Sequence, residues 1–261
     1  MHLGHWDPPP TETPSAAELP AAQLRLTERL LAMAEIGAGM TVLDVASGLG
    51  GTLALLDARY RRLTLVGLEH DRRQLRLAQR HIARPDNHLA WNCGDACQLP
   101  YRDQSFDRVL CIEAMFHFFS RRTFFAEAAR VMRPGGRLVF SDIVASSASS
   151  RLRVAASSSA IAAVIEEGMG PWPDLWCVDA DHDALAAAVG LTPLQTVDAT
   201  AATLPSHACI LGDGAGDEED AETRRRGDAE TTETAVQRAA AMLAWLHRRG
   251  HMRVLYKSYR R

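Results

Sequence analysis

A glycine-rich turn after a short apolar run is the first feature of the sequence with a chemical use. The run Thr41–Val45 is rich in β-branched residues, Asp44 lies near its end, and Gly48, Gly50 and Gly51 follow. Glycine lets a ligand approach the backbone closely, and the helix that begins after such a turn offers unpaired N–H groups. The turn therefore predicts a site for a nucleoside-containing cofactor, either a dinucleotide or S-adenosylmethionine (SAM).

Acidic residues at the ends of later strands narrow this choice. Glu69 ends the second apolar run, about 20 residues after the turn, where a carboxylate can bind ribose hydroxyls. Asp95, in the segment 94–96 (Gly-Asp-Ala) after the third run, is placed to reach an adenine amino group. Dinucleotide-dependent oxidoreductases are not expected to combine this segment with the Ser-Phe-Asp of 105–107 and the Arg-Pro-Gly-Gly of 133–136. We therefore disfavour that class of enzyme.

The elements that must position these residues alternate between strands and helices. Apolar and β-branched runs predict strands over 41–45, 63–68, 89–93, 106–112, 137–140, 194–197 and 253–258, with helical stretches between most of them. This alternation predicts a mostly parallel sheet with crossover helices. At the N-terminal side, Ser15 and Glu18 predict a capping box for a helix over 16–36 that is interrupted or restarted at Pro20.

Composition divides the chain into four predicted parts. Residues 1–36 form an extended segment and a cap helix, 37–144 the cofactor-binding core, 145–190 a lid insertion, and 191–261 the completion of the core sheet. The lid prediction rests on a Ser- and Ala-rich stretch without a strand signal, followed by Trp172 and Trp176 among prolines. The acidic run 212–222 is predicted to be a flexible loop because it can bury little apolar area.

Taken together, the motifs resemble the class I SAM-dependent methyltransferases of the small-molecule branch, which includes sugar and macrolide O-methyltransferases and the tocopherol and ubiquinone types. The matching segments are Asp44–Gly51, Glu69, Gly94–Pro100, Ser105–Val109 and Arg130–Leu138, and Leu3–Asp7 is similar to the N-terminal segment of the sugar branch. Ala46 departs from the pattern, which has a glycine there. The resemblance implies an α/β, Rossmann-like fold: a seven-stranded, mostly parallel sheet with helices on both faces, an N-terminal helical segment and a helical lid.

The resemblance also implies which residues bind the cofactor and the methyl acceptor. Expected SAM contacts are Asp44, Ala46, Gly48, Gly50, Gly51, Glu69, His70, Gln74, Gly94, Asp95, Ala96, Ile112 and Glu113. Expected acceptor contacts are Trp6, Met115, Phe116, Met169 and Trp172. For the tryptophans of the lid, packing of a helix onto the core is an equally good interpretation. The implied product of the cofactor is S-adenosylhomocysteine (SAH).

His117 and Asp142 match a histidine after the fourth strand and an aspartate after the fifth that work together in the similar sugar O-methyltransferases. An alcohol acceptor must lose its proton, an imidazole can take it at neutral pH, and a carboxylate can fix the imidazole tautomer. The resemblance therefore implies His117 as general base and Asp142 as its orienting partner. A structural role for His117, as a cap of the strand, is the alternative.

Charge and composition exclude several other classes. The formal net charge is −3 and no basic stripe is present, so we expect no nucleic-acid partner. Residues 112–115 also lack the Asn/Asp-Pro-Pro-Tyr/Phe element of base-modifying methyltransferases. No apolar run reaches about 18 residues, no signal peptide is evident, and the five cysteines are scattered. We therefore expect a cytoplasmic protein without a membrane span or a metal, and leave a homodimer open.

These observations predict a SAM-dependent methyltransferase that modifies a small molecule, with an oxygen of a secondary metabolite as acceptor. C- or N-methylation of an electron-rich ring is the alternative, and a non-catalytic SAM-binding protein is a more distant one.

Overall fold

The computed structural model describes residues 2–82, 86–149, 152, 157–211 and 228–261. The strands are β1 Thr41–Val45, β2 Thr64–Glu69, β3 His88–Cys93, β4 Phe106–Cys111, β5 Met132–Ala145, β6 Thr192–Asp198 and β7 Met252–Arg260. The helices are α1 Leu19–Ala34, α2 Gly51–Arg59, α3 Arg72–His81, α4 Arg121–Val131, α5 Ser157–Met169, α6 Asp179–Ala188, α7 Thr200–Thr203, α8 Ser206–Leu211 and α9 Asp228–Arg248. Short 3-10 turns lie at Ala16–Glu18, Met115–His117 and Ser147–Ser149.

Within the described residues the strands form a seven-stranded sheet in the order β3-β2-β1-β4-β5-β7-β6. The pairs β1–β2, β1–β4, β2–β3 and β4–β5 are parallel. The strand order reverses between β1 and β4, and ligands of such sheets bind beyond the carboxyl ends of the strands at this point. The predicted mostly parallel, seven-stranded sheet is confirmed, and its reversal point lies next to the glycine turn after β1.

Most predicted elements are present with shifted ends. The capping box is present, because Glu18 Oε2 accepts a hydrogen bond from Ser15 N–H at 2.9 Å, and α1 restarts at Leu19 after the 3-10 turn. The fifth strand is longer than predicted and continues past Asp142 to Ala145. Residues 143–145 extend the strand because they are buried and apolar, and Ala145 N–H donates to the Cys177 carbonyl at 2.7 Å. The predicted flexible loop 212–222 lies outside the described residues.

The chain divides into two compact units. We call the first the sheet unit, which comprises Thr27–Asp142, Ala180–Val197 and Leu255–Arg261. Its core lies between the strands and α4, where Val109, Phe124, Phe125 and Phe140 are fully buried. Burial of each such side chain contributes about 1.5–3 kcal/mol. This core fixes the carboxyl ends of β1, β4 and β5, where the predicted cofactor and catalytic residues are found.

We call the second the helical unit, which comprises Met1–Leu26, Ile143–Asp179 and Asp198–Val254. Its principal contact joins α5 and α9, where Gly168 faces Ala235: a Cβ on Gly168 would lie 2.3 Å from the Ala235 carbonyl oxygen. The absence of a side chain therefore sets the close spacing of these two helices. None of the helices within the described ranges is long and apolar enough to cross a membrane.

Candidate active site

The glycine turn after β1 has a backbone shape that favours glycine. Gly50 has a φ of 81° and directly precedes α2, and a Cβ on it would lie 2.6 Å from the Trp91 ring. Ala46 also has a positive φ, 57°, which costs a residue with a side chain about 1 kcal/mol. The methyl group of Ala46 is therefore tolerated in the turn at a small energetic cost, and glycine would be the easier residue there.

Glu69 connects the end of β2 to this turn. Its Oε2 accepts a hydrogen bond from Gly48 N–H at 2.9 Å, and its Oε1 accepts one from Asp71 N–H at 3.0 Å. The Nδ1 of His70 lies 3.0 Å from the same Oε1, and Glu69 is almost completely buried. The carboxylate is thus fixed beside the glycine turn, as a group that binds ribose hydroxyls must be.

Asp44 supplies a second buried carboxylate from the neighbouring strand. In the β1–β2 register it lies opposite Gly67, two residues before Glu69, and it is only 2% exposed. Burial, and in second place the charge of Glu69, raise the pKa of Asp44 to about 8. Two carboxylates buried near each other form a site that a cation stabilises, because an opposite charge favours their ionised form.

The turn after β3 carries the predicted adenine-binding residues. A Cβ on Gly94 would lie 2.8 Å from the Leu68 side chain, so this glycine lets the end of β3 pack closely on β2. Asp95 is exposed, and its Oδ1 accepts a hydrogen bond from Cys97 N–H at 2.8 Å. Ala96 is buried in the core. The carboxylate of Asp95 is therefore held at the surface by its own turn.

Four further predicted cofactor residues border these elements. Gln74 on α3 lies next to the turn, since its Oε1 would be 3.4 Å from a Cβ on Gly48. The side chain of His70 is 82% exposed, and Gly51 is the first residue of α2. Ile112 and Glu113 follow β4 and are buried. Sequence-predicted cofactor residues thus lie at the carboxyl ends of β1, β2, β3 and β4 in the sheet unit.

The segment after β4 carries His117. It starts beside β5, because Glu113 N–H donates to Ser141 Oγ at 2.8 Å. Glu113 has a positive φ of 56°, and the 3-10 turn Met115–His117 follows. His117 N–H donates to the Ala114 carbonyl at 2.9 Å, and its half-buried ring lies 4.5 Å from the Phe116 ring. The structure therefore places the start of the His117 segment next to the residue that precedes Asp142.

Asp142 is fully buried and accepts hydrogen bonds from two side chains that sequence reasoning did not single out. Arg121 donates from Nε to Oδ2 at 2.8 Å and from Nη2 to Oδ1 at 3.1 Å, and His182 Nε2 donates to Oδ2 at 2.9 Å. Burial would raise the pKa of Asp142, but the Arg121 charge and the His182 hydrogen bond outweigh it and lower that pKa. Asp142 is therefore an ionised carboxylate with a fixed orientation.

The burial of His182 has a signal in the sequence. His182 lies on α6 and is fully buried. Leu185, Ala186 and Val189 follow it at helical spacing and pack on the core, which marks the inward face of α6. A polar residue on such a face needs a buried partner, and the spacing alone does not say that this partner is Asp142.

The predicted acceptor residues are divided between the two units. In the sheet unit, Met115 and Phe116 are buried after β4. In the helical unit, Trp6 and Trp172 are buried and Met169 at the end of α5 is half-buried. Trp6 packs on Ala22 and Cys209, and its Nε1 donates to Ser206 Oγ at 2.9 Å, so packing accounts for its burial. Contact of these residues with the acceptor stays a prediction.

The contacts of Glu69 lead to a first prediction. Glu69→Ala should weaken SAM binding by about 1.5–3 kcal/mol, roughly a 10- to 150-fold rise in Kd, because a charge-assisted hydrogen bond to a ribose hydroxyl is lost. Isothermal titration calorimetry with SAM measures this. The matched control is Asp57→Ala on α2, which removes a carboxylate that accepts the N–H groups of Asp86 and Asn87. We expect that control to lower the melting temperature and to keep the SAM affinity; equal affinity losses in both variants would contradict the assignment of Glu69.

The raised pKa of Asp44 leads to a second prediction with two opposite effects. A buried acid whose pKa rises from 3.8 to about 8 stabilises the fold fully at pH values below 3.8 and loses this contribution as pH rises to about 8. Asp44→Asn does not titrate, so without cofactor it should melt at a higher temperature than the wild type at about pH 9 and with a smaller difference at about pH 5. The same variant should bind SAM more weakly, because a carboxylate that attracts the cationic cofactor is gone.

Thermal unfolding at the two pH values and SAM titration at one of them check this pair of effects. A variant that melted below the wild type at high pH would show that the ionised Asp44 is stabilised in the fold, contrary to our interpretation.

Within the ranges described above, no three His, Cys, Asp or Glu side chains are grouped as metal ligands.

Comparisons with known proteins concern the family and the fold. A family model described as a methyltransferase domain matches residues 43–140. Methyltransferase GfsG of Streptomyces halstedii is 33% identical over 216 residues, which are 81% of this chain and 72% of that protein. The 27-O-demethylrifamycin SV methyltransferase of Amycolatopsis mediterranei is 34% identical over 146 residues, 55% of this chain. The chain spans about half the length of that second relative, 51%.

A solved structure has the same fold. The geranyl diphosphate C-methyltransferase of Streptomyces coelicolor, solved with Mg²⁺, geranyl diphosphate and SAH, superposes with a TM-score of 0.74 at 17% identity. The alignment covers 100% of this chain and 92% of that chain. At this identity the likeness concerns the fold alone.

Proposed function

The chain belongs to the methyltransferase-domain family of SAM-dependent enzymes that methylate small molecules, and from this premise we propose that its acceptor is a hydroxyl oxygen of a natural product. The observation that carries the choice of oxygen is the buried Asp142, fixed and ionised on the strand next to the segment that holds His117. Such a pair is needed where an acceptor must lose a proton. The relative named as a 27-O-demethylrifamycin SV methyltransferase supports the same choice, since its name specifies an oxygen as the acceptor.

The residues at the carboxyl ends of β1 and β2 fit the cofactor. SAM carries an ammonium and a sulfonium group, and Asp44 and Glu69 are two buried carboxylates that a cation would stabilise. Ser47 in the same turn has a buried hydroxyl that makes no hydrogen bond to the described residues, so a polar ligand group can satisfy it. Asp44, Ser47 and Glu69 would hold the cofactor, and when bound it supplies an electrophilic methyl group.

The residues of the chain then have two tasks. One is to hold the acceptor oxygen in line with the methyl group at near-attack distance, which lowers the barrier by reducing the entropy that the reaction must lose. The other is to accept the proton of the hydroxyl, which we assign to the imidazole of His117 with Asp142 fixing its orientation. During the transfer His117 would accept the hydroxyl proton, so that the acceptor oxygen would carry no net charge afterwards.

The loop around His117 favours an apolar acceptor. Phe116, Phe118 and Phe119 surround His117 in sequence, and Phe119 is 87% exposed. An exposed aromatic side chain next to the proposed base offers apolar surface to an acceptor. A hydroxylated polyketide offers both the apolar surface and the hydroxyl group that these residues require.

The test is methyl transfer to a panel of defined acceptors. The full chain is incubated with SAM and with hydroxylated polyketides, 27-O-demethylrifamycin SV among them, alongside an aromatic C-nucleophile, an aromatic amine and a simple phenol. We expect methylated product, detected by mass spectrometry and located by NMR, on a hydroxyl oxygen of a polyketide. Methylation confined to carbon or nitrogen would instead favour the alternative, and SAM binding without turnover on any acceptor would favour a non-catalytic protein. A homodimer and a cytoplasmic location stay predictions.

A further inference from the structure

Two buried histidines join α8 to α9 in the helical unit. Nε2 of His207 on α8 lies 2.8 Å from Nδ1 of His247 on α9, and the two ring centroids are 5.0 Å apart. The two residues are 1% and 4% exposed. One ring therefore donates a hydrogen bond to the other in the interior of the unit. We call these two residues the histidine pair.

The histidine pair cannot satisfy all of its own donors. A neutral imidazole carries one N–H and one bare nitrogen. If His207 Nε2 donates, the proton of His247 must lie on its Nε2, and if His247 Nδ1 donates, the proton of His207 must lie on its Nδ1. Neither of these outer nitrogens has a hydrogen-bond partner among the described residues. Either arrangement therefore leaves one buried N–H unsatisfied, which costs about 1–3 kcal/mol.

The surroundings of the histidine pair oppose a positive charge. Burial, and in second place the charge of Arg248, lower the pKa of His207 to about 4. Burial, and in second place its partner His207, lower the pKa of His247 to about 3. On the same helix as His207, burial and to a smaller extent the charge of Glu18 raise the pKa of the Cys209 thiol. The pair is therefore neutral at neutral pH and binds protons only in acid.

Helix α8 also holds the N-terminal segment, residues 2–15. Ser206 directly precedes His207, and its Oγ accepts hydrogen bonds from Gly4 N–H at 2.8 Å and from Trp6 Nε1 at 2.9 Å. The same hydroxyl donates to the Gly4 carbonyl at 3.2 Å. The short helix is therefore a link, which binds the N-terminal segment through one residue and α9 through the next.

From these contacts we propose that the histidine pair is an acid-sensitive junction, at which protonation detaches α8 from α9 and loosens the N-terminal segment that α8 holds. A first added proton places a charge in the interior and gives both outer nitrogens a hydrogen without an acceptor. A second added proton gives every ring nitrogen a hydrogen, so the bond between the rings is lost. The junction requires neither cofactor nor acceptor and is independent of the proposed methyl transfer.

The direction of the pH dependence follows from the proton affinities of the two forms. With α8 detached, the histidines bind protons with the ordinary pKa of about 6.5, whereas the attached pair binds them only near pH 4 and below. The attached form is therefore fully stable above about pH 6.5 and loses stability as pH falls towards 4. For one histidine with pKa values of about 6.5 and about 4, the ratio of attached to detached form falls about 20-fold between about pH 7 and about pH 5.

Hydrogen–deuterium exchange of the full chain, followed by NMR without cofactor or acceptor, measures this opening. The amides of Gly4 and Trp6 donate to Ser206 Oγ and to the Ala202 carbonyl, so both report on the N-terminal segment. Their exchange at about pH 7 and about pH 5, corrected for the intrinsic rate at each pH, should show a loss of protection of at least about 20-fold. The amides of β4 in the sheet unit are the internal reference and should keep their protection.

Two variants and a control assign this loss to the histidine pair. His207→Leu combined with His247→Phe keeps apolar volume and cannot titrate, so the protection of the N-terminal segment should no longer fall in acid. His247→Gln leaves one titrating ring and should show a smaller loss than the wild type. The control His251→Gln changes a half-buried histidine of the same unit that lies outside the pair, and it should keep the wild-type loss.

Three results would overturn the proposal. Constant protection of Gly4 and Trp6 in the wild type would show that α8 stays attached in acid. The full wild-type loss in the double variant, or in His247→Gln where circular dichroism shows that the double variant does not fold, would assign the titration to another group. An equal loss at the β4 amides would show unfolding of the whole chain in place of opening at this junction.

Discussion

His117→Ala should reduce turnover about 10²- to 10⁴-fold, the usual contribution of a general base, and leave the affinity for SAM nearly unchanged. We expect the two quantities to respond differently because His117 lies in the segment after β4, whereas the carboxylates that we assign to the cofactor lie at the ends of β1 and β2. The loss should be steepest for an unactivated alcohol, since a phenol sheds its proton more easily. Initial rates on the acceptor found with the panel, together with SAM calorimetry, measure both quantities.

The matched control for this variant is His88→Ala. His88 is exposed at the first residue of β3, at the sheet edge opposite the carboxyl ends of the strands. We expect this control to keep wild-type turnover, which would show that loss of an imidazole is harmful only at position 117. The pH profile adds a second check: wild-type turnover should fall below about pH 6.5 as an imidazole base is protonated, and His117→Ala should lack this limb. Near-full turnover in His117→Ala would show that His117 is not the general base, and it would favour C- or N-methylation over O-methylation.

The sheet was predictable because local sequence determines it, and so was the position of the proposed cofactor residues at the ends of its strands. Parallel strands buried on both faces are continuous apolar runs, and the glycine turn and Glu69 follow directly after two such runs. The end of β5 was less predictable. A polar pair, Ser141 and Asp142, follows the apolar run 137–140 and predicts the end of the strand, although both side chains are buried and the strand continues.

The partners of Asp142 were not predictable, because they depend on tertiary packing. Arg121 is the first residue of α4, where an arginine is ordinarily exposed, and His182 lies in an Asp- and Ala-rich helix that is typical of a surface. Their separations from Asp142 are 21 and 40 residues. Neither spacing nor composition relates residues at such distances, whereas the strand order and the docking of two helices on the sheet bring them together.

The charge of Asp142 contributes to the stability of this buried cluster. Arg121 has a side-chain exposure of 2%, and Asp142 neutralises its charge inside the sheet unit. Loss of one partner of a buried ion pair is generally more harmful than loss of the whole pair. Asp142→Asn is therefore a test of stability before it is a test of catalysis, and its turnover has to be compared at a temperature where the variant is folded.

Asp142→Asn should lower the free energy of unfolding by about 3–5 kcal/mol at neutral pH, measured by urea denaturation. The pH dependence follows from the lowered pKa of Asp142: its contribution is complete above the ordinary aspartate pKa of about 3.9 and is lost as pH falls through the lower value in the fold. The difference between variant and wild type should therefore shrink in acid. The control is Asp103→Asn, which breaks an exposed pair with Arg130, where Asp103 is 70% exposed; about 1 kcal/mol or less is expected. Equal losses in the two variants would show that Arg121 finds other compensation.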